Sequence, residues 1–587
     1  MAPHVRPAPV HFNLSYTCLD GMRIATSLLL SLTYVTFAQV PAEDSRNVTV
    51  VTLDTHFSPP AFKSRAEWET RAAHLRKQIQ FAAGLLPMPE KAPLGVQIFG
   101  RIERKGYTVE KVLLETMPGF YLGGNLYRPA GRNGPFPAIV SPHGHWAYGR
   151  LENSAVGSVP GRCINLARQG FVVFTYDMIG YDDTMQMPHV ATGKREQLWG
   201  FGLLGMQLWN SIRAVDFLET IPDVDRERIG ATGASGGATQ ILMLQAVDDR
   251  IKFSSPVNMI SSIYQGGSPC ENAPLLRIGT NNMEIAALMA PRPMLMVSTT
   301  QDWTKNTPRI EFPAMQAMYR LYDKEVNVQT QEVDAPHNYN RESREAVYRF
   351  FAKTVLGADP KSPDFAEKGF TPEKPNDLLA LFNRTLPKNA LTYPQIVEQW
   401  ITNAQKQNAR GPDRERLMLA LAAEWPEKVL DQREGERIVL SREGVGDRVV
   451  GVWHEGAKPT VLLVDADNPD ASKSSLKITV FQTGASVTPR DRSNSMFLTF
   501  NKTDDAERVQ DILTALKWLN QDSTKLVCRG KAAIWCTLAA SVCTKNVQLD
   551  APIPPSFHGA DQEWIDFMFI PSIQRAGGWA AVLKLVK

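Results

Sequence analysis

A glycine-rich turn holds the residue with the clearest chemical potential in this sequence. The run Gly233-Ala234-Ser235-Gly236-Gly237 matches the G-x-S-x-G pattern, in which a sharp turn between a strand and a helix strains the serine backbone and exposes its hydroxyl. Only very small residues two positions to either side avoid a clash there. Residues 228–232 predict the strand and residues 237–247 predict the helix. Ser235 is therefore the candidate nucleophile, the alternative being a serine that only fills a turn.

A serine hydroxyl becomes a useful nucleophile when a base takes its proton and an acid orients that base. In enzymes with this turn, the chain order is serine, acid, histidine. Three histidines follow the turn: His337, His454 and His558. His337 lies in the loop "DAPHNYN", between a predicted strand and a predicted helix at residues 341–356, whereas His454 falls in a later predicted strand and His558 near the C-terminus. We therefore predict that His337 is the base.

The acid is expected in a loop that follows a buried strand. The apolar run "PMLMVSTT" ends just before Asp302, which makes Asp302 the predicted acid. Asp334 is the alternative, but it lies on the same strand end as His337 and so would not face the histidine from across the sheet.

Two backbone N–H groups must stabilise the oxyanion that forms on the substrate. The N–H of Gly236 is one candidate, because it follows the nucleophile and opens a helix. The N–H of His145 is the other, because "SPHGHW" follows an apolar strand. His143 and His145 also permit a metal site, but a His-x-His pair without a third ligand is a weak signal. We predict neither metal nor cofactor, and His143 is expected to brace the loop.

The segment 268–293 connects the nucleophile helix to the acid strand, where such connections often line a pocket. It carries four polar residues that could meet a substrate or could simply cap helices and cover the surface: Glu271, Asn272, Arg277 and Asn281.

Alternating strand and helix patterns predict an α/β fold with a doubly wound, mostly parallel sheet. A helix is expected over residues 58–87, with Ser64 as a possible N-cap. This catalytic domain spans 39–356, and the Pro-rich, charged segment 357–378 reads as a linker.

The region 379–587 resembles the first domain. The segment "VQDILTALKWLNQDSTKLVCRGKAAIWCTLAASV" parallels the stretch around the glycine-rich turn and sets Gly530 on Gly233 and Ala532 on Ser235. We interpret this region as a degenerate second copy without a nucleophile. The alternative is a coincidence between two α/β segments.

The composition is that of an ordinary globular protein of 587 residues, with 43% hydrophobic and 21% charged residues. This length predicts at least two domains. The net charge is only +3 and the sequence has no basic run, so we expect no nucleic-acid partner. Six cysteines form no C-x-x-C pair; Cys163 and Cys270 could pair or remain buried thiols.

The N-terminus contains a candidate export signal. Met22 and Arg23 precede an apolar stretch at residues 24–37, and Ala38 ends a plausible cleavage site. The stretch is too short for a stable membrane span, so we expect an exported protein, secreted or periplasmic, that starts at Met22. An uncleaved anchor and a buried helix are the alternatives.

Four motifs in this order, "SPHGHW", "GATGASGG", "STTQDWT" and "APHNYN", resemble the dienelactone hydrolase and acetyl xylan esterase branch of the α/β-hydrolases. The resemblance covers roughly residues 100–356. It implies an α/β-hydrolase fold and a Ser-Asp-His esterase acting on a small ester or an acetylated carbohydrate. The region 379–587, which we interpret as a degenerate α/β-hydrolase-like lobe, departs from the minimal single-domain members of this family. Dienelactone hydrolases use cysteine at the position of Ser235, which favours the esterase side.

Two rival functions remain open from the sequence. A serine peptidase of the prolyl oligopeptidase type would carry a β-propeller before this domain, but only about sixty residues separate the leader from the first strands. A non-catalytic, carbohydrate-binding protein of two lobes would suit the second half of the chain. The serine, acid and histidine of the first half oppose that alternative.

Overall fold

Two mixed β-sheets organise the chain in the computed structural model, which describes residues 39–586. The leader predicted between Met22 and Ala38 lies outside the described residues. The strands of the first sheet are β1 (Gln97–Arg104), β2 (Tyr107–Met117), β3 (Phe120–Pro129), β4 (Phe136–Val140), β5 (Val172–Tyr176), β6 (Val224–Ala234), β7 (Ile251–Val257), β8 (Met294–Thr299) and β9 (Val328–Val333). The strands of the second sheet are β10 (Val429–Glu434), β11 (Arg437–Arg442), β12 (Val449–His454), β13 (Ala457–Val464), β14 (Lys473–Thr479), β15 (Ser523–Cys528) and β16 (Asn546–Asp550).

The first sheet has nine strands in the order β1-β2-β3-β5-β4-β6-β7-β8-β9. The pairs from β1 to β5 along this order are antiparallel, and the pairs from β5 to β9 are parallel. Both β4 and β5 are buried along their whole length, as expected for parallel strands covered on two faces. The predicted α/β class is thus confirmed, with a mixed sheet whose parallel half carries the candidate site.

The second sheet repeats the strand order of the first over seven strands, β10-β11-β12-β14-β13-β15-β16. Its pairs are antiparallel up to β14 and parallel from β14 to β16, in the same sequence as in the first sheet. Within the described residues, the second sheet contains no counterparts of β8 and β9.

Helices cover the sheets. They are α1 (Ser45–Val48), α2 (Arg65–Ala82), α3 (Val159–Gln169), α4 (Lys194–Leu198), α5 (Leu203–Thr220), α6 (Gly236–Val247), α7 (Asn282–Ala287), α8 (Glu311–Arg320), α9 (Arg341–Leu356), α10 (Pro375–Leu378), α11 (Tyr393–Asn408), α12 (Arg414–Leu421), α13 (Phe497–Phe500), α14 (Asp504–Leu519), α15 (Ala532–Val542), α16 (Asp561–Asp566) and α17 (Gly578–Leu585).

The first long helix confirms one predicted cap and corrects the predicted length. The Ser64 hydroxyl accepts the N–H of Glu67, as an N-cap does. The helix spans Arg65–Ala82 and not residues 58–87. Pro59 and Pro60 bias the residues before them away from helical conformations, and Gly84 has a left-handed backbone with φ 67° just after the helix ends.

One apolar cluster includes buried residues of both sheets, and a separate cluster packs on the first sheet. We call residues 40–356 the first lobe and residues 379–586 the second lobe; from residue 40 onwards the chain forms one compact unit. The indole of Trp400, on α11, lies 5.5 Å from the ring of Phe201 and donates to the carbonyl of Trp199. The second lobe is therefore anchored in the apolar core of the first.

The segment predicted as a linker, 357–378, lies against the first lobe. The Glu367 carboxylate accepts two hydrogen bonds of 2.6 Å from the Arg344 guanidinium. Just beyond the segment, the Asp183 carboxylate accepts the backbone N–H groups of Ala380 and Leu381. The segment is thus fixed to the first lobe at its middle and just beyond its C-terminal end.

The cysteines settle one question that the sequence left open. Cys163 and Cys270 are separate buried thiols, and burial raises the pKa of Cys163 to about 11 and that of Cys270 well above its ordinary value. A disulfide, which the sequence did not predict, joins Cys528 to Cys536 in the second lobe.

Candidate active site

The serine turn has the strained geometry that its sequence predicts. Ser235 follows β6 directly and caps α6. Its backbone has φ 55° and ψ −126°, and residues other than glycine rarely adopt a positive φ. A Cβ on Gly237 would lie 2.7 Å from the carbonyl oxygens of Pro142 and His143, and one on Gly233 would lie 2.7 Å from the Gly237 carbonyl. The two glycines are therefore required for the turn to approach the loop after β4.

That loop brings His145 beside the serine. A Cβ on Gly144 would lie 3.3 Å from the Cβ of Ser235, and one on Gly236 would lie 2.5 Å from the His145 ring. The N–H of Trp146 bonds to the carbonyl of Gly144, so the backbone turns tightly at His145. Gly236 is the first residue of α6, where the N–H has no acceptor within the helix and the helix dipole favours negative charge.

The predicted acid and base are hydrogen-bonded to each other. The Nδ1 of His337 lies 2.8 Å from Oδ2 of Asp302, whose side chain is 2% exposed. The other carboxylate oxygen accepts the N–H and the hydroxyl of Thr304. Burial acts to raise the pKa of Asp302, but the hydrogen bonds from His337 and Thr304 outweigh it and hold that pKa below its ordinary value. The carboxylate is thus ionised and fixes the His337 tautomer with a proton on Nδ1.

The remaining nitrogen of His337 is available for chemistry. Its Nε2 is buried and has no hydrogen-bond partner among the described residues. With Nδ1 protonated, Nε2 carries the lone pair that can accept a proton.

The alternative residues are placed elsewhere. Asp334 is exposed and its carboxylate accepts the Thr300 hydroxyl. His454 and His558 are exposed residues of the second lobe, and His454 forms an ion pair with Glu436.

Aromatic rings surround His337, a feature that the sequence analysis missed. The Trp303 ring centroid lies 4.4 Å from that of His337, and the Trp146 ring centroid lies 6.5 Å from it. Tyr264 extends this wall, with its ring 4.9 Å from that of Trp303. Both tryptophans are neighbours of predicted site residues in "SPHGHW" and "QDWT", and this adjacency was the available signal.

His143 braces the loop, as expected, and is not available to a metal. Its Nε2 accepts the N–H of Met178 and its Nδ1 bonds to the carbonyl of Gly144. Burial lowers the pKa of His143 to about 3. The ring is therefore neutral and uses both nitrogens within the fold.

The polar residues of the segment after β7 mainly hold that segment together. Glu271 accepts the hydroxyl of Thr239 and the N–H of Ser268. Arg277 bonds to the Asn272 side chain, and Asn281 caps α7. Asn272 alone among the four predicted residues also lines the large cleft described next.

A cleft of about 630 Å³ lies between the two lobes. Residues of the first lobe in its wall include Val190, Pro269 and Asn272, and the second lobe contributes Arg492 and Phe497. The cleft is large enough for a sugar-sized ligand, and it borders the loops that surround the site.

The comparisons with known proteins agree with this fold. No protein-family model matches the chain. It is 28% identical over 251 residues to "Putative hydrolase YtaP" of Bacillus subtilis (strain 168), an alignment that covers 39% of this chain and 81% of that protein. The solved structure of methylesterase BT1017 is 30% identical and superposes with a TM-score of 0.51, covering 59% of this chain and 78% of the other. The chain therefore belongs to the α/β-hydrolase superfamily and has an esterase-like fold.

Proposed function

We propose that the first lobe is a serine carboxylic-ester hydrolase with Ser235 as nucleophile, His337 as general base and Asp302 as the orienting acid. The observation that carries the proposal is the His337–Asp302 hydrogen bond of 2.8 Å, which leaves a buried, unpartnered Nε2 on a loop that faces the same sheet edge as the strained serine.

In the proposed reaction, the Ser235 hydroxyl oxygen attacks the ester carbonyl carbon while its proton moves to Nε2 of His337. The N–H groups of His145 and Gly236 stabilise the resulting oxyanion. His337 then donates its proton to the departing alcohol, and an acyl-enzyme remains. Water then attacks the acyl carbon while His337 accepts its proton, and His337 returns that proton to the Ser235 oxygen as the carboxylic acid leaves. This sequence of steps requires no cofactor.

The substrate we propose is a small acyl ester, an acetyl group above all, on a carbohydrate. Trp303, Trp146 and Tyr264 support this substrate class, because flat apolar rings beside a polar centre suit the faces of sugar rings. The test measures acetate released from acetylated xylan and p-nitrophenol released from its acetate ester. A preference for a dipeptide amide over both esters would support the peptidase alternative instead.

A methyl ester is the second candidate substrate. The 30% identity to a protein described as a methylesterase favours it. Methanol release from methyl esters of carbohydrate acids, measured beside acetate release, separates the two candidates. The same triad would cleave either ester, but an acetyl ester gives an acetyl-enzyme and a sugar alcohol, whereas a methyl ester gives an acyl-enzyme of the larger acid and methanol.

We infer that the second lobe is a degenerate hydrolase copy without chemistry of its own. Strand pairing supports this origin, since Ala231 of β6 pairs with Val140 as Cys528 of β15 pairs with Val464. Ser235 follows Ala231 by the same number of residues as Ala532 follows Cys528. The left-handed residue of the second turn is Gly530, with φ +56°, and neither Gly530 nor Ala532 has a hydroxyl.

We also propose that the protein is exported. The disulfide between Cys528 and Cys536 supports an oxidising compartment, in agreement with the leader predicted at Met22. In the described residues no helix is long and apolar enough to cross a membrane. N-terminal sequencing of the protein from secreted and periplasmic fractions should give a mature chain that begins near Gln39. A chain that keeps its leader in the cytosol would contradict export.

A further inference from the structure

Three donors converge beside the serine turn from three separate loops. His145 follows β4, His189 follows β5, and Cys270 lies between β7 and β8. The Nε2 of His145 lies 3.0 Å from the Cys270 sulfur, and the rings of His145 and His189 are 5.4 Å apart. One ring nitrogen of each histidine and the sulfur all lie within 4.8 Å of one another.

The hydrogen bonding of His189 leaves its Nε2 suited to bind a metal ion. Its Nδ1 lies 2.6 Å from the carbonyl oxygen of Ile179, so Nδ1 carries the proton and donates to that carbonyl. Its Nε2 is buried and has no hydrogen-bond partner among the residues that the structure describes. A backbone carbonyl that holds the far nitrogen of a histidine is the usual outer contact of a metal-binding imidazole.

The donor set suits a borderline-soft cation. Two imidazole nitrogens and one thiolate match Zn²⁺, which binds nitrogen at about 2.0–2.1 Å and sulfur at about 2.3 Å in a tetrahedral arrangement. Nitrogen and sulfur ligands of such an ion lie about 3–4 Å apart, close to the separation of His145 and Cys270. Three protein ligands leave the fourth position for water or a substrate oxygen.

A second geometric group of possible ligands, His143 with Asp177 and Asp182, does not support a metal site. Both nitrogens of His143 are engaged with the backbone, and Asp177 is paired with the buried guanidinium of Arg150. The contrast with His189, whose Nε2 is unpartnered, identifies the His145 cluster as the better candidate.

We propose that His145, His189 and Cys270 form a zinc site at the boundary between the serine turn and the large cleft. Val190 and Pro269, which adjoin two of the ligands, line that cleft, and the His145 ring packs against Gly236. Binding replaces the proton of the Cys270 thiol, which leaves to solvent. The side chain of His145 holds the ion, while its backbone N–H remains available for the role proposed above.

The test measures metal binding by the full-length protein after a chelator has removed bound metal. Titration with Zn²⁺ should saturate at one ion per chain. Co²⁺ should give a thiolate-to-metal charge-transfer band in the near ultraviolet and intense visible bands of a four-coordinate site. Cys270→Ser should abolish the charge-transfer band and weaken Zn²⁺ binding at least about tenfold, and His189→Gln should weaken Zn²⁺ binding to a similar extent.

Two control variants make the result specific. Cys163→Ser removes the other buried thiol of the first lobe and should leave the Zn²⁺ affinity and the Co²⁺ spectrum unchanged. Ser235→Ala should bind Zn²⁺ like the parent, so loss of esterase activity and loss of metal binding are distinguishable. Circular dichroism checks folding, and His189→Gln replaces Cys270→Ser if the serine variant misfolds. Failure of the parent protein to bind Zn²⁺, or unchanged Zn²⁺ binding by folded Cys270→Ser and His189→Gln, would overturn the site.

Discussion

The two lobes build the same strand–turn–helix unit and stabilise it in different ways. In the first lobe, the turn between β6 and α6 holds Ser235 at φ 55° and depends on glycines packed against the carbonyls of a neighbouring loop. In the second lobe, the turn between β15 and α15 has Gly530 at φ +56° and a disulfide from Cys528 to Cys536. Both turns therefore contain a left-handed residue, but glycine adopts that conformation without strain and serine does not.

The difference in chemistry follows from what comes after the turn. Asp302 and His337 lie in the loops that follow β8 and β9, whereas the second sheet has no strand at either of these positions in the part of the chain that the structure describes. Even with a serine at its turn, the second lobe would have no acid and base in the corresponding loops. In the proposed mechanism, the turn holds the nucleophile and the loops after the last two strands of the first sheet hold the groups that activate it.

The largest predicted effect separates the two turns directly. Ser235→Ala should lower kcat by roughly three to six orders of magnitude, because loss of a triad nucleophile leaves only the oxyanion hole and binding. A fluorophosphonate should label the parent at one site per chain and should not label this variant, as measured by intact-protein mass spectrometry. Ala532→Ser is the matched control and should gain no label. Near-normal turnover by Ser235→Ala would contradict the proposed mechanism.

The next effect compares two aspartates near His337. Asp302→Asn should lower kcat about 10⁴-fold, because an amide holds the histidine in the wrong tautomer. Asp334→Asn should leave kcat close to that of the parent, because the Asp334 carboxylate contacts Thr300 and is exposed. Steady-state hydrolysis of p-nitrophenyl acetate measures both variants. The reverse ranking would move the acid assignment to Asp334.

The positions of Ser235, Asp302 and His337 could be predicted from the sequence, because each residue lies in a loop or turn that follows a predicted strand. The chain order serine, acid, histidine then left few candidates, and the Asp302–His337 hydrogen bond agrees with that choice. The convergence of His145 with His189 and Cys270 was not predictable in the same way, since it depends on how three loops of irregular structure pack.

The disulfide of the second lobe could not be predicted from the sequence for the same reason. Cys528 and Cys536 are eight residues apart, a spacing with no recognisable motif, and their pairing depends on where β15 ends and α15 begins. The range 58–87 predicted for the first long helix was too long, but the N-cap predicted at Ser64 fixed its true start, because a serine side chain that accepts a backbone N–H is a local signal.

A smaller effect is expected from methyl groups added to the two turns. Gly237→Ala forces a Cβ to within 2.7 Å of two backbone carbonyl oxygens, and such overpacking should cost about 1–3 kcal/mol and displace the His145 loop. Gly530→Ala meets its nearest atom at 3.8 Å, so only the left-handed backbone, worth about 1–2 kcal/mol, opposes it. Denaturant unfolding and ester hydrolysis should show that only Gly237→Ala also loses activity. Equal activity in the two variants would contradict the proposed use of the His145 loop.

The smallest effect on catalysis is expected from the disulfide of the second turn. It closes a short loop between β15 and α15, and the loss of that closure should destabilise the protein by about 2–3 kcal/mol. Because the second lobe contributes no reacting group in the proposed mechanism, the double variant Cys528→Ser/Cys536→Ser should keep the parent's kcat while unfolding at lower denaturant. The parent in the presence of a reductant should unfold like the double variant, which controls for the introduced hydroxyls. A large drop in kcat in a double variant that is fully folded would show that the second turn influences the reaction. The second lobe would then have a regulatory role and not only a structural one.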